Sequence, residues 1–319
     1  MRIVFVPQFP SKLRYQEWWF TELPKQFRQR GFEVITLGEK YVESIEHKRS
    51  KLDMFSPIDE AIEFESEQIK EYIALDLRPD DILFWSDISF PGLFGHVLFH
   101  KRPSKMFAFC HATSINKYDY YQSVKEFKYP IEENICKLFN KVFVGSEYHK
   151  AKLGWNNLQV TYLPFQPYEG KIETFVPKTH TFMSASRVSP QKVDMPFEIK
   201  IERICEEQIF RPVNNTWEEY FANLRSSKFL LITAHEDTFG YQIVDAVTNN
   251  CIPLARNGLA YPELLPRKYL YDDLDDLMIR IDCIEAGEEE EPAEIPRLLC
   301  EYQMRDFYNV ICEVMEHAI

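Results

Sequence analysis

Short apolar runs alternate with longer amphipathic stretches along this chain. Residues 2–6, 32–37, 81–85, 106–110, 141–144 and 159–163 are apolar, rich in β-branched and aromatic residues, and bounded by turn formers. Apolar runs of that length predict strands buried on both faces. Residues 15–30 carry apolar positions at helical spacing and stop at Gly31, and 59–76 is helical by composition. Strands separated by helices predict a parallel sheet covered on both sides, a doubly wound Rossmann-like domain.

The stretch 164–178, with three prolines and one glycine, reads as a linker. After it the alternation restarts: a strand at 180–186, a helix near 195–207, and a helix opened by a Thr216-x-x-Glu219 capping box. A strand at 228–233, a helix after Gly240, a strand at 251–255 and a final helix over 297–317 follow. The predicted organisation is an N-terminal Rossmann-like domain at 1–165, a linker at 166–179, a second Rossmann-like domain at 180–296, and a C-terminal helix at 297–319.

Composition narrows the picture. A chain of 319 residues is long for one core and suits two domains. Apolar residues at 45% and aromatic residues at 15% favour packed cores over disorder. The formal charge of −13, from 37 basic and 50 acidic residues, lowers the expectation of nucleic-acid binding by overall field but leaves room for a local basic cleft. Seven cysteines without a C-x-x-C pair, and eight histidines without metal-ligand spacing, read as reduced thiols and no metal centre. The opening MRIVFVPQFP reads as a strand rather than a signal peptide, and no run approaches the roughly 20 apolar residues of a membrane span. A cytoplasmic protein is expected. The acidic run 285–294 reads as a solvated loop.

The candidate chemistry concentrates in the second half. The segment Ala234-His235-Glu236-Asp237-Thr238-Phe239-Gly240-Tyr241-Gln242-Ile243-Val244-Asp245-Ala246 joins the 228–233 strand to a helix. A strand, a glycine turn and a helix N-terminus form a site for anionic and polar ligands. Asp237 stands at its mouth. Eight residues at about 3.6 per turn would return Asp245 to nearly the same face two turns on. Asp237 as a helix N-cap and Asp245 as a solvated helix position are the alternatives.

This segment resembles the E-x7-E signature of retaining, nucleotide-sugar-dependent GT-B glycosyltransferases of the family-four group, with Asp in both acid positions. Ser186-Arg187-Val188-Ser189-Pro190-Gln191-Lys192 resembles the G-R-L-x-x-x-K segment of the same group. The resemblance implies that Arg187 and Lys192 hold the donor diphosphate. It implies that Asp237, Thr238, Phe239, Gly240 and Tyr241 hold sugar and phosphate, and Asp245 the ribose. Two fixed cations would stabilise the charge growing on a departing nucleoside diphosphate. The segment 258–266 resembles the Y-P-E-L/I-F-P stretch of the tRNA-queuosine mannosyltransferase group, in Tyr261-Pro262-Glu263-Leu264-Leu265-Pro266. With only about 44 residues between Lys192 and Asp237, the second domain is trimmed against the family pattern.

In the first half, His111 follows the 106–110 strand, where many relatives carry a histidine facing the transferred sugar; Ser146-Glu147 resembles a further short step of the family. Lys12, Arg14 and Trp18, in the loop after the first strand, are candidate acceptor contacts through charge and stacking; packing of this helix on the sheet is their alternative. The implied function is retaining transfer of a hexosyl or pentosyl group from a nucleotide-sugar without a tightly bound metal. Catalysis would involve His111, Arg187, Lys192 and Asp237. The acceptor is read first as a modified nucleobase in DNA or tRNA, and alternatively as a saccharide or lipid-linked acceptor. A sugar-nucleotide-binding protein without turnover is the reading from a different class. The family also implies that the last helix crosses back to the first domain. The sequence leaves the sugar, the base and the oligomeric state open.

Overall fold

The computed structural model describes residues 1–12, 14–45, 58–88, 102–119, 121–163, 176–185, 191–214, 216–287, 298 and 307–317. The chain divides into two compact units, one of Met1–Gly145, Lys150–Thr161 and Phe307–Ile319, the other of Ser146–His149 and Tyr162–Asp306.

The first unit is built on six parallel strands: β1 (Arg2–Val6), β2 (Glu33–Thr36), β3 (Ile82–Trp85), β4 (Lys105–Cys110), β5 (Lys141–Val144) and β6 (Leu158–Val160), in the order β2-β1-β3-β4-β5-β6. Its helices are α1 (Tyr15–Gln29), α2 (Glu39–Ile45), α3 (Ile58–Ala74) and α4 (Lys125–Cys136); of α5 (Glu147–Leu153), residues from Lys150 on belong to this unit and Glu147–His149 to the second. Successive strand residues point to opposite faces. On one face Val4, Val6, Leu83, Trp85, Ala108, Cys110, Val142 and Val144 form a buried cluster. On the other, Phe84, Phe107, Phe109 and Phe143 pack ring to ring, with Phe107 and Phe143 stacked at 6.1 Å. Helix α1 covers that aromatic face through Trp19, 4.8 Å from Phe109, and Phe27, 5.4 Å from Phe84. Arg2 donates through Nε and Nη2 to buried Asp81 at 2.9 and 2.6 Å, fastening β1 to the start of β3.

The second unit has four parallel strands, β7 (His180–Met183), β8 (Ser227–Ile232), β9 (Ile252–Arg256) and β10 (Leu270–Tyr271), in the order β10-β9-β8-β7. Helices α6 (Met195–Cys205), α7 (Trp217–Arg225), α8 (Tyr241–Thr248) and α9 (Leu274–Glu285) connect and follow them. The expected cap of α7 is present: the Thr216 side chain accepts from Glu219 N at 3.1 Å. The last helix, α10 (Phe307–His317), belongs to the first unit. There Arg30 donates to Asn309 at 3.1 Å and lies over the Tyr308 ring, and Phe307 meets Phe109 at 5.5 Å.

Differences from the sequence expectation have local causes. Helix α4 carries Pro130 inside it, a residue that reads as a breaker. Helices α2 and α5 are seven residues each, too short for a periodic signal. Strand β6 stops at Val160, before Tyr162 turns to φ +58°. The linker expectation at 166–175 lies outside the described residues.

Candidate functional site

In the second unit the carboxyl ends of β7 and β8 bring together residues that are distant in sequence. Backbone N–H groups of His235 and Glu236 both donate to the Gln191 carbonyl, at 3.0 and 3.2 Å, so the loop after β8 is tied to the loop after β7. That tie sets Lys192 beside Asp237: Lys192 Nζ lies 3.0 Å from Asp237 Oδ2, and both side chains are largely buried. The other oxygen, Oδ1, accepts from Phe239 N at 3.3 Å, and Tyr261 Oη donates to Oδ2 at 3.4 Å. The Tyr261 hydroxyl is pushed well above its ordinary pKa, first by burial and then by the Asp237 charge, so it remains a donor.

The helix follows Gly240 as the sequence predicts, but Asp237 and Asp245 do not share a helical face. Helix α8 begins at Tyr241 with Gly240 as its N-cap, so Asp237 sits in the strand-to-helix loop and only Asp245 is helical. The eight-residue face argument fails because Gly240 turns the chain at φ +104°. A β-carbon there would also lie 3.1 Å from the Tyr261 ring. Both features require glycine. Thr238 and Phe239 form the turn, with Phe239 buried and its ring 5.3 Å from that of Tyr241. The N-terminus of α8 then opens at Tyr241, where the helix dipole favours an anion.

Asp245, one turn into α8, is partly buried and accepts from Tyr220 Oη on α7 at 3.0 Å. Burial pushes its carboxyl up to about 7, and the Tyr220 hydrogen bond opposes that rise. Tyr220 carries no sequence motif; only the packing of α7 on α8 reveals it. The same holds for buried Glu198 on α6, which accepts from Ser184, Thr233 and Arg211 at 2.9 to 3.0 Å and fixes the strand ends behind the site. Asp194 caps α6, accepting from Phe197 N at 3.1 Å, and pairs with Arg256 on β9. Tyr261 and Glu263 give the Tyr-Pro-Glu segment a structural role. Tyr261 packs under Gly240, and the Glu263 carboxylate accepts from the N–H groups of Glu147 and Tyr148 at 2.8 and 2.7 Å. Ser146 donates to the Thr238 carbonyl at 2.6 Å. Arg187 lies outside the described residues.

In the first unit His111 follows β4 and is buried. Its ring packs 4.5 Å from Tyr15 and 4.6 Å from Trp19, with Nε2 3.1 Å from the Ser86 carbonyl. Lys12 lies in the loop before α1 and Arg14 is the N-cap of α1. Trp18 belongs to the helix rather than to the loop, its carbonyl accepting from Thr21 at 3.1 Å. Among the described residues no three His, Cys, Asp or Glu converge as a metal site, and no helix is long and apolar enough to cross a membrane.

Comparison with known proteins gives fold-level likeness over the whole chain. The Anabaena protein HepE, solved in complex with UDP and glucose, superposes with a TM-score of 0.69 at 13% identity, over 99% of this chain and 100% of that one. The lipopolysaccharide outer core galactosyltransferase WaaB superposes with a TM-score of 0.67 at 12% identity, over 100% of both chains. In sequence, a segment of 55 residues is 36% identical to the tRNA-queuosine alpha-mannosyltransferase of Drosophila melanogaster. That segment spans 17% of this chain and 15% of that enzyme's length. No protein-family profile matches the chain. Two parallel α/β units and these neighbours give the chain the GT-B glycosyltransferase fold.

Proposed function

We propose that the protein transfers a glycosyl group from a nucleotide-sugar, with the second unit holding the donor. The observation that carries this reading is the Lys192–Asp237 pair, 3.0 Å apart at two strand ends beside the N-terminus of α8. Lys192, with Arg187, neutralises the diphosphate as it leaves, and the α8 N-terminus adds its dipole. Asp237 Oδ1 retains a lone pair for a sugar hydroxyl, while Lys192 and Tyr261 at Oδ2 and the Phe239 N–H at Oδ1 hold the carboxylate in one orientation. Thr238 through Tyr241 contact sugar and phosphate, and Asp245 takes the ribose. Transfer proceeds with retention, and the leaving diphosphate helps remove the acceptor proton, so positioning and charge stabilisation supply the rate. Complexes of HepE with UDP-glucose and with UDP make UDP-glucose the first donor to test.

For the acceptor we favour a modified nucleobase in DNA or tRNA, supported by the local similarity to the tRNA-queuosine enzyme. Lys12, Arg14 and Trp18 contribute charge and stacking, and His111 closes the acceptor side. The full-length likeness to WaaB supports a saccharide acceptor as the second reading.

The test is release of UDP from UDP-glucose with tRNA, duplex DNA or an oligosaccharide present, with the anomer of the product read by NMR. We expect turnover with one acceptor class, an α-linked product, and a loss of about 100-fold in Lys192→Ala. Binding of UDP-glucose without release under any condition would leave a sugar-nucleotide-binding protein instead.

A further inference from the structure

The turn that carries Asp237 is braced by a residue from far upstream in the sequence. Ser146–His149 follow β5 along the chain, yet they belong to the second unit. Ser146 is 1% exposed. Its Oγ accepts from the N–H of His149 at 3.1 Å, the pattern of an N-cap one residue before α5. Its hydroxyl proton goes to the Thr238 carbonyl, 2.6 Å away, because a carbonyl only accepts.

Thr238 and Phe239 share one peptide unit. That unit is planar and trans, so its C=O and N–H point in opposite directions. Ser146 holds the C=O end. Asp237 Oδ1 accepts from the N–H end at 3.3 Å. A continuous line of hydrogen bonds therefore runs from Ser146 through the 238–239 peptide to one carboxylate oxygen of Asp237, and each bond in such a line polarises the next. The other oxygen, Oδ2, has its own partners in Lys192 and Tyr261, at 3.0 and 3.4 Å. Both arms are anchored in one segment. Tyr261 reaches Asp237 itself, and the Glu263 carboxylate accepts from Glu147 N and Tyr148 N at 2.8 and 2.7 Å, fixing the backbone next to Ser146.

A helix cap uses only the acceptor side of a serine hydroxyl. The donor side of Ser146 is spent on the turn between Asp237 and Gly240. We infer that Ser146 is a positioning residue for the donor sugar: it fixes the 238–239 peptide and, through that peptide, the Asp237 oxygen that takes a sugar hydroxyl. This assignment rests on the donor reading of Asp237 and adds to it a residue that acts on the sugar alone. The diphosphate is held by Lys192 and the N-terminus of α8 in that reading, so it feels the loss of Ser146 far less.

Isothermal titration of the full chain with UDP-glucose and with UDP, in wild type, Ser146→Ala and Glu263→Gln, tests the inference. We expect Ser146→Ala to weaken UDP-glucose by about fivefold, the effect of one buried hydrogen bond, and to leave UDP within about twofold of wild type. Glu263→Gln keeps one acceptor oxygen for two N–H groups, so it should shift the ratio of the two affinities in the same direction by less. Retained UDP binding also shows that each variant is folded. A role confined to capping α5 would lower the melting temperature and leave that ratio where it is. An unchanged ratio in Ser146→Ala, or an equal loss of both ligands, would therefore overturn the inference while wild-type binding left the donor reading standing. Binding of neither ligand by the wild type would remove the donor reading and this inference with it.

Discussion

Asp245 holds a conflict between stability and function. Its folded carboxyl titrates near 7 because burial penalises the charge, against about 3.9 in an unfolded chain. The folded value is the higher one, so folding takes up a proton. The associated stability is complete below pH 4 and is lost as pH rises through 7. Asp245→Asn should therefore raise the melting temperature at pH 8 by something on the order of 5 °C, with the gain fading towards pH 5, while weakening donor binding. Calorimetry at both pH values checks this; identical melting temperatures for the two proteins at pH 8 would show that the carboxylate is not strained. Tyr220→Phe removes the hydrogen bond that holds the carboxyl down. Its donor affinity should therefore fall off at a higher pH than that of the wild type. Gly240 makes the opposite case, a residue whose replacement gains nothing. With φ +104° and the Tyr261 ring 3.1 Å from an added β-carbon, Gly240→Ala should cost about 1–3 kcal/mol in denaturant titration and abolish donor binding. The Asp-x-Phe-Gly spelling made this turn readable in the sequence. The Tyr220 and Tyr261 hydroxyls were not readable as partners of the two acids, because packing across α7 and the 258–266 segment creates those contacts.

At the scale of elements, the strand ends behind the site are held by polar burial. Glu198 on α6 joins β7, β8 and Arg211 through Ser184 and Thr233. Removing Glu198 leaves the Ser184 and Thr233 hydroxyls without their buried acceptor and Arg211 with Glu202, at 2.7 Å, as its remaining ion pair. Glu198→Ala should destabilise the second unit by about 3 kcal/mol, visible as a separate early transition in urea monitored by tryptophan fluorescence. A cost within 0.5 kcal/mol would show that the network adds nothing to the packing. Such a network has no linear signature: Glu198 lies on α6, while Ser184, Arg211 and Thr233 lie in three separate loops. The strands are the contrasting case. Residues 2–6 and 141–144 read as buried strands from their apolar runs alone and fold as β1 and β5, since a strand buried on both faces leaves little room for polar residues. Helix α4, charged along its length and interrupted by Pro130, shows where tertiary packing outweighs propensity.

For the whole molecule, two parallel α/β units and full-length likeness to GT-B structures place the fold, and the acid and cation motifs pointed to it before any strand was seen. The central claim is that Lys192 and Asp237 form a nucleotide-sugar donor site. Isothermal titration of the full chain with UDP and UDP-glucose, in wild type and Lys192→Ala, tests it most directly. We expect saturable binding by the wild type and a loss of at least tenfold in the variant, since a charge-assisted contact to phosphate contributes about 1.5–3 kcal/mol. No heat of binding with either nucleotide or with other nucleoside diphosphates, or equal affinity in the variant, would contradict it.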